Sequence, residues 1–589
     1  MKTAISALFA CWLVACLVMP AAGATATVKF LGAGSSAMWE EFAVAAVNSG
    51  LAGPNSHHWT VKGTCPVVNC AEALDRRKGP TATVDNPQGG SLWVVWNSSE
   101  TEVWAYLSVD SVVGNRLFFA QPRATLVIDS TALVATPPSG LNVISPDLFK
   151  YGVHTTATNC PTTGTHTATC DDPSLPSSVY NALYGASVTA AMTDIRPEDA
   201  LFASLRVNCP PPIKLSCLGY GTGEAVGNPV ESAFSKSNAT PVSYAITGSD
   251  PVSGDPIPVF STYPVGVAPI VILVNRQDAK GLGFQVDGKF AITNIDHATQ
   301  LHTLFTGDEC NTGLFTSKVS HAIYPILREP LSGTMNTFEF TNMTNPVPGN
   351  EFSSSQETGV GDHNPLELAC STGGGTRYRA IGTGEVIGAI LNGNLNSKTN
   401  TLPIADFNGE DSIGYAFFSY ENVSKLANAT TPSDYGYLTL DSVDPLVGLP
   451  GYVAGQLPVC SLPCAAEPGT TYTNIRNGTY RSFSFLRLIA EKGTTDATNA
   501  AALVAAAQSV VNLYVPDFVP YKAVGKDPGM KFYRSHFQVP GVGLATVSNG
   551  VPFADPSTEA GGDVGGCIEH IADPSVTDKH ENVAGGCSK

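Results

Sequence analysis

The sequence predicts an α/β fold in two lobes, with a β-rich insertion and an irregular tail. Three observations predict it. Residues 26–31 read as a strand, 32–34 as a glycine turn, and Ser36 to about Asn48 as a helix; a strand–turn–helix unit opens many α/β folds. Pro269–Asn275 is a near-continuous apolar run of the kind found in buried parallel sheets. The chain has 589 residues, and cores rarely grow past about 250–300 residues before splitting.

The other elements follow in order. Leu92–Trp96 and Val103–Val109 alternate around a turn at 97–100 and predict a hairpin. The Thr-, Pro- and Ser-rich stretch 135–180 belongs to the insertion, which spans about 50–190. Ile413–Tyr420 and Ser482–Ile489 read as further strands, and Ala497–Leu513 as a packed amphipathic helix. The expected domains are a signal peptide (1–24), a first lobe (25–265), a second lobe (266–475), a return to the first lobe (476–526) and a Gly/Pro-rich tail (527–589).

Hydrophobic residues make up 43% of the chain and charged residues only 14%, with a formal net charge of −18. Nucleic-acid binding, which needs a basic footprint, is therefore not expected. An anion ligand stays open, because local donors decide that. Lys2, the apolar run Ile5–Met19 and Ala22-Gly23-Ala24 predict a cleaved signal peptide. The expected location is periplasmic or extracellular. Leu13-Val14-Ala15-Cys16 offers the alternative of a lipid anchor at Cys16. Twelve of the 14 cysteines follow this leader, and an even count in an exported chain predicts disulfides. Close neighbours suggest local pairs: 65 with 70, 160 with 170, 209 with 217, 460 with 464. No metal or other cofactor is expected.

Three segments place glycines and hydroxyl residues where helices would start: Gly32 to Ala37, Ser249-Asp250-Pro251, and Arg328 to Thr334. Unpaired N–H groups at a helix start point at a bound anion. Glycine lets the backbone come close, hydroxyls add donors, and an Arg adds charge-assisted ones. A carboxylate nearby has a use when the ligand itself carries a proton.

Other motifs are weaker. Gly32-x-Gly34-x-x-Ala37 matches a dinucleotide fingerprint, but no acid-ended strand follows at the needed distance. Gly283 to Lys289 imitates a phosphate loop, but Phe290 replaces the required hydroxyl residue, so Gly288-Lys289 reads as a hairpin turn. His57, His58, His302 and His363 show no metal spacing, and no Gly-x-Ser-x-Gly elbow occurs. Trp93, Trp96, Trp104 and Tyr106 read as core packing.

Taken in order, the motifs resemble the phosphate-binding proteins of phosphate-specific ABC transporters, within the type II periplasmic binding-protein family. Gly32-Ala33-Gly34-Ser35-Ser36-Ala37 resembles the family's Gly-Ala-Gly-Ala-Thr-Phe, and Ser249-Asp250-Pro251 its Ser-Asp-Ala-Pro-Leu. Leu273-Val274-Asn275, Leu301 to Gly307, Arg328 to Thr334 and Ile413-Gly414-Tyr415 continue the series over about residues 26–525. The resemblance implies anion contacts by Ser36, the Ala37 N–H and Asp250 from the first lobe. It implies Arg328, Ser332, Gly333 and Thr334 from the second. A further serine at a helix start is placed at Ser232, after the turn Gly219–Gly223, with Thr222 as the alternative. Pro330 stands where the family has an acid, with Glu329 beside it. The implied partners are inorganic phosphate or a related oxyanion and an inner-membrane ABC permease. The alternative function is a secreted surface or matrix structural protein that keeps the fold without a ligand. An exported phosphohydrolase ranks last, since no activated nucleophile or metal cluster stands out.

Overall fold

The protein is described by a computed structural model. It covers residues 26–53, 56–62, 91–126, 175–195, 244–328, 332–343, 367–393, 409–460, 463–521 and three short tail strands, apart from 247, 251, 252, 381 and 478. Isolated positions 128, 197 and 200 are described as well. The expected signal peptide, its expected cleavage site and Cys16 lie outside these residues.

The first half of the chain builds β1 (Thr27–Gly34), a 3₁₀ turn (Ser36–Met38) running into α1 (Trp39–Asn48), then β2 (His57–Lys62), β3 (Ser91–Trp96) and β4 (Glu102–Ser108). α2 (Ser111–Phe119), α3 (Ser177–Leu183) and β5 (Ala190–Thr193) follow. β1 lies between β4 and β5, parallel to both, while the β3–β4 hairpin is antiparallel as predicted and β2 pairs β3. The residues expected at 32–34 to turn are the end of β1, so this strand is longer than predicted. β2, β3 and β4, in the stretch expected to be a β-rich insertion, extend the same sheet.

Period-two patterning explains why these strands form. Phe30, Trp93, Val95, Trp104 and Tyr106 pack on the face covered by α1. Leu31, Ala33, Val94, Trp96, Ala105 and Leu107 pack with α2 and α3 on the other. With both faces covered, no polar alternation remains to be read.

β6 (Phe260–Asn275) joins the halves. β7 (Gln285–Val286), β8 (Lys289–Phe290), β9 (Asn294–Ile295), α4 (His302–Thr306), β10 (Tyr324–Arg328), α5 (Gly333–Asn342), β11 (Glu367–Ala369), β12 (Thr376–Ala380) and α6 (Thr383–Asn392) come next. Then come β13 (Ser412–Phe417), α7 (Tyr420–Ala427), β14 (Tyr435–Leu440), α8 (Thr473–Arg476), β15 (Phe483–Glu491), α9 (Thr495–Val510) and β16 (Val519–Pro520). β7 and β8 make a hairpin that turns at Asp287 and Gly288, one residue before the predicted Gly288-Lys289 turn. The main sheet has 14 strands among the described residues, in the order β11-β12-β10-β13-β6-β15-β5-β1-β4-β3-β2, with the others pairing beside this path.

β6 spans both halves. Its first part, through Pro269, pairs with β15, and with β16 at Gly266 and Val267. Its second part, from Ile270, pairs with β13 and β14. All these ladders are antiparallel, which corrects the parallel reading of Pro269–Asn275. Burial on both faces makes a strand uniformly apolar whatever the direction of its neighbours. β15 then returns to the first half and pairs with β5. The result is a mixed α/β protein whose two halves meet along β6.

The tail beyond 527, expected to be irregular, carries a small antiparallel sheet of β17 (Phe532–Ser535), β18 (Cys567–His570) and β19 (His580–Asn582). Cys460 and Cys464 form a disulfide as predicted, and Cys310 pairs with Cys370 across 60 residues. The other proposed pairs lie outside the described residues.

A buried carboxyl cluster fixes the end of the chain's return to the first half. Asp517 Oδ1 accepts from the Tyr420 N–H at 2.8 Å, at the start of α7. Burial pushes the Asp517 carboxyl up to about 7. Glu41 on α1 is raised as well, by burial first and then by Asp517. The sign is definite. A carboxyl raised in the folded state stabilises the fold in acid and loses that contribution as pH rises from about 4 toward 7. Asp517→Asn keeps an acceptor for Tyr420 but cannot ionise. The wild-type melting temperature will therefore fall relative to this variant between pH 5 and 7.5. Parallel pH profiles would show that Asp517 is already ionised in the fold.

Candidate functional site

The carboxyl ends of the parallel strands converge where the two halves meet. In open α/β sheets this is where ligands are held. From the first half come Ser36 after β1, Asp110 and Ser111 after β4, and Asp194 after β5. From the second come Arg328, the last residue of β10, Ser332 to Thr334 at the start of α5, and Thr383 at the start of α6.

Arg328 is the hub. It is 2% exposed. Nη2 donates to Asp110 Oδ1 at 3.0 Å across the junction, and Nη1 donates to Thr383 Oγ1 at 3.1 Å. Its backbone N–H donates to the Tyr415 hydroxyl at 3.2 Å. Asp110 sits at the cap of α2, where an Asp ordinarily accepts from its own helix. It makes no such capping bond, because its carboxylate is turned to the guanidinium.

Asp194 is the second centre. Its Oδ1 accepts from the Ser111 hydroxyl, and its Oδ2 from Thr334 Oγ1 at 3.5 Å. Burial raises its carboxyl above the ordinary range, while the Ser111 hydrogen bond and Arg328 pull it back down. Gly333 lies against this carboxylate so closely that a Cβ there would overlap Asp194. Ser36 Oγ is 3.4 Å from Thr383 Oγ1, again joining the two halves. Ser332 Oγ accepts from the Met335 N–H at 3.2 Å and so caps α5. The Tyr106 hydroxyl donates to the Ser35 carbonyl from beneath; burial raises its ionisation well above the usual range.

Six of the residues singled out from sequence are therefore gathered here. Ser36, Arg328, Gly333 and Thr334 touch the other half. Ser332 orders the α5 start, and the Ala37 N–H, one residue from Ser36, is bonded to Ser35 Oγ at 3.2 Å. Asp250 is different. Its Oδ2 accepts from the Gln121 N–H and its Oδ1 from the Ser253 N–H, both at 2.9 Å. Gly254 N–H closes the same turn onto the Asp250 carbonyl at 2.9 Å. This Asp caps its own turn, a habit of Asp in turns, and ties it to the segment after α2; the carboxylates in the cluster are Asp110 and Asp194. Ser232, Thr222, Glu329 and Pro330 lie outside the described residues.

Asp110, Ser111, Asp194 and Thr383 were not singled out from sequence. Each had a signal: a small polar residue just past a strand and at or near a helix start.

No family model matches the chain, and no curated protein matches its sequence. Solved structures similar to it include an ABC-type phosphate transport receptor from Vibrio cholerae, 13% identical over 46% of this chain and 76% of that one, TM-score 0.24. A high-affinity periplasmic phosphate-binding protein solved with phosphate is 14% identical over 58% and 78%, TM-score 0.27. A phosphate-binding protein from Stenotrophomonas maltophilia is 13% identical over 56% and 70%, TM-score 0.25. No helix among the described residues is long and apolar enough to cross a membrane.

Proposed function

We propose that this chain is an extracytoplasmic binding protein that holds phosphate, or a similar tetrahedral oxyanion, between its two halves. The supporting observation is the convergence of helix starts, hydroxyls and one buried Arg from both halves on a single point. Donors aimed in advance bind an anion without covalent chemistry. The strand that runs through both halves, β6, is the natural hinge for closure.

The two carboxylates bear on which anion is held. Arg328 faces Asp110, and Asp194 stands among hydroxyls. A fully ionised anion meets Asp194 as a like charge. An anion that keeps a proton donates that proton to Asp194 instead. Monohydrogen phosphate is such an anion at neutral pH, and sulfate is not. An inner-membrane ABC permease would receive the captured anion.

The test is calorimetric titration of the full mature protein with phosphate, and with sulfate as control. Phosphate binding with sulfate excluded is the expected result. Asp194→Asn turns the acceptor into a group that can also donate, so preference for phosphate over sulfate should fall by about tenfold or more, since a hydrogen bond to a charged group contributes about 1.5–3 kcal/mol. A folded protein giving no heat with either anion would leave the structural reading, in which the same contacts only lock the halves together.

A further inference from the structure

We propose that Asp278, His321 and Asp411 form a site for one divalent transition-metal ion of the zinc kind, at the end of the sheet remote from Arg328. One atom from each residue lies within 4.8 Å of the others. The three come from separate segments: Asp278 just after β6, His321 just before β10, and Asp411 just before β13.

The carboxylates are held in place. Asp278 Oδ1 accepts from the Lys280 N–H and Asp411 Oδ1 from the Leu282 N–H, both at 2.6 Å. Each Oδ2 is thereby turned toward the imidazole, Asp411 Oδ2 at 2.6 Å from Nδ1 and Asp278 Oδ2 at 3.2 Å from Nε2. The Ala322 carbonyl is a third acceptor, 3.2 Å from Nδ1. Three acceptors, two of them charged, thus face a ring that has one N–H when neutral and two when protonated.

A second observation points to a cation. The Asp411 side chain is fully buried, and its Oδ2 accepts no aligned hydrogen bond. Burying a carboxylate oxygen without an aligned hydrogen bond is costly, and a metal ion would relieve it. The turn around Gly281 wraps this carboxylate so closely that a Cβ there would overlap it, so Asp411 cannot swing out. His321 and Asp278 are partly exposed, at 33% and 23%, which leaves an entry path and room for water on the ion. One imidazole nitrogen with two carboxylate oxygens suits zinc better than the hard, all-oxygen preference of magnesium. The ion would tie together three segments that frame β10, about 20 Å along the strand from the Arg328 end.

The experiment uses the full mature protein, stripped of metal with chelator and titrated with Zn²⁺ in phosphate-free buffer. Asp278→Asn and His321→Gln are treated alike, and Mg²⁺ serves as the hard-ion control. Comparing the three proteins cancels zinc taken up by cysteines elsewhere. The wild type should bind one more Zn²⁺ per chain than either variant. Its melting temperature should rise with Zn²⁺ where theirs does not, as for any ligand bound by the folded state alone. Asp278 lies on a partly exposed turn, so its variant keeps the fold. Equal zinc stoichiometry in all three proteins would overturn the proposal and leave the cluster as a clamp of acceptors around His321.

Discussion

Arg328→Ala will weaken phosphate binding by at least about 100-fold. Arg328 is buried and bridges the halves through Asp110. A hydrogen bond to a charged group contributes about 1.5–3 kcal/mol, so losing two guanidinium donors costs about 3 kcal/mol or more of affinity. Each 1.4 kcal/mol is about a factor of ten in affinity. The same substitution removes charge-assisted donors from the proposed anion position. Arg328→Lys keeps the charge but loses the planar fork that serves Asp110 and Thr383 together, and should fall between the two. Calorimetry reads the affinities, and circular dichroism checks that the variants fold. Unchanged phosphate affinity in folded Arg328→Ala would place the anion elsewhere.

Gly114→Val will destabilise the fold by about 3 kcal/mol or more. Gly114 lies within α2, where glycine is ordinarily a poor choice by about 1 kcal/mol. Here a Cβ would overlap the Gly34 Cα and crowd the Ala33 carbonyl. The helix therefore lies directly on the β1 backbone. Overpacking of this kind costs about 1–3 kcal/mol and sometimes more, and a branched side chain is the severe case. The position matters for the site as well, because Asp110 and Ser111 precede Gly114 on the same helix. Moving α2 outward would separate Asp110 from Arg328 and Ser111 from Asp194. Urea unfolding measures the stability loss, and phosphate titration of the remaining folded protein should show weaker binding. A fully stable Gly114→Val variant would mean that α2 does not rest on β1.

The carboxylates show where sequence reading ends. Asp250 looked suitable because it precedes Pro251 beside a serine, yet its carboxylate is spent on neighbouring backbone N–H groups. Asp194 carries the same local information, a hydroxyl residue before it and a loop after it. Only the pairing of β5 beside β1 brings Asp194 to Ser111 and Thr334. Asp110 meets Arg328 across 218 residues of chain, a separation that no local pattern encodes. His321, Asp278 and Asp411 are scattered in the same way.

What the sequence by itself determined is therefore local. Strand and helix periods, the hairpins at 91–108 and 285–290, the Arg-to-Thr segment ahead of α5 and the Cys460–Cys464 pair all follow from neighbours along the chain. Tertiary structure alone decided the direction of the ladders around β6, the sheet role of β2 to β5, the Cys310–Cys370 bond and the choice of carboxylates at the junction. The physical reason is that backbone propensity acts over a few residues. A site at the ends of five strands depends on the order in which those strands pair.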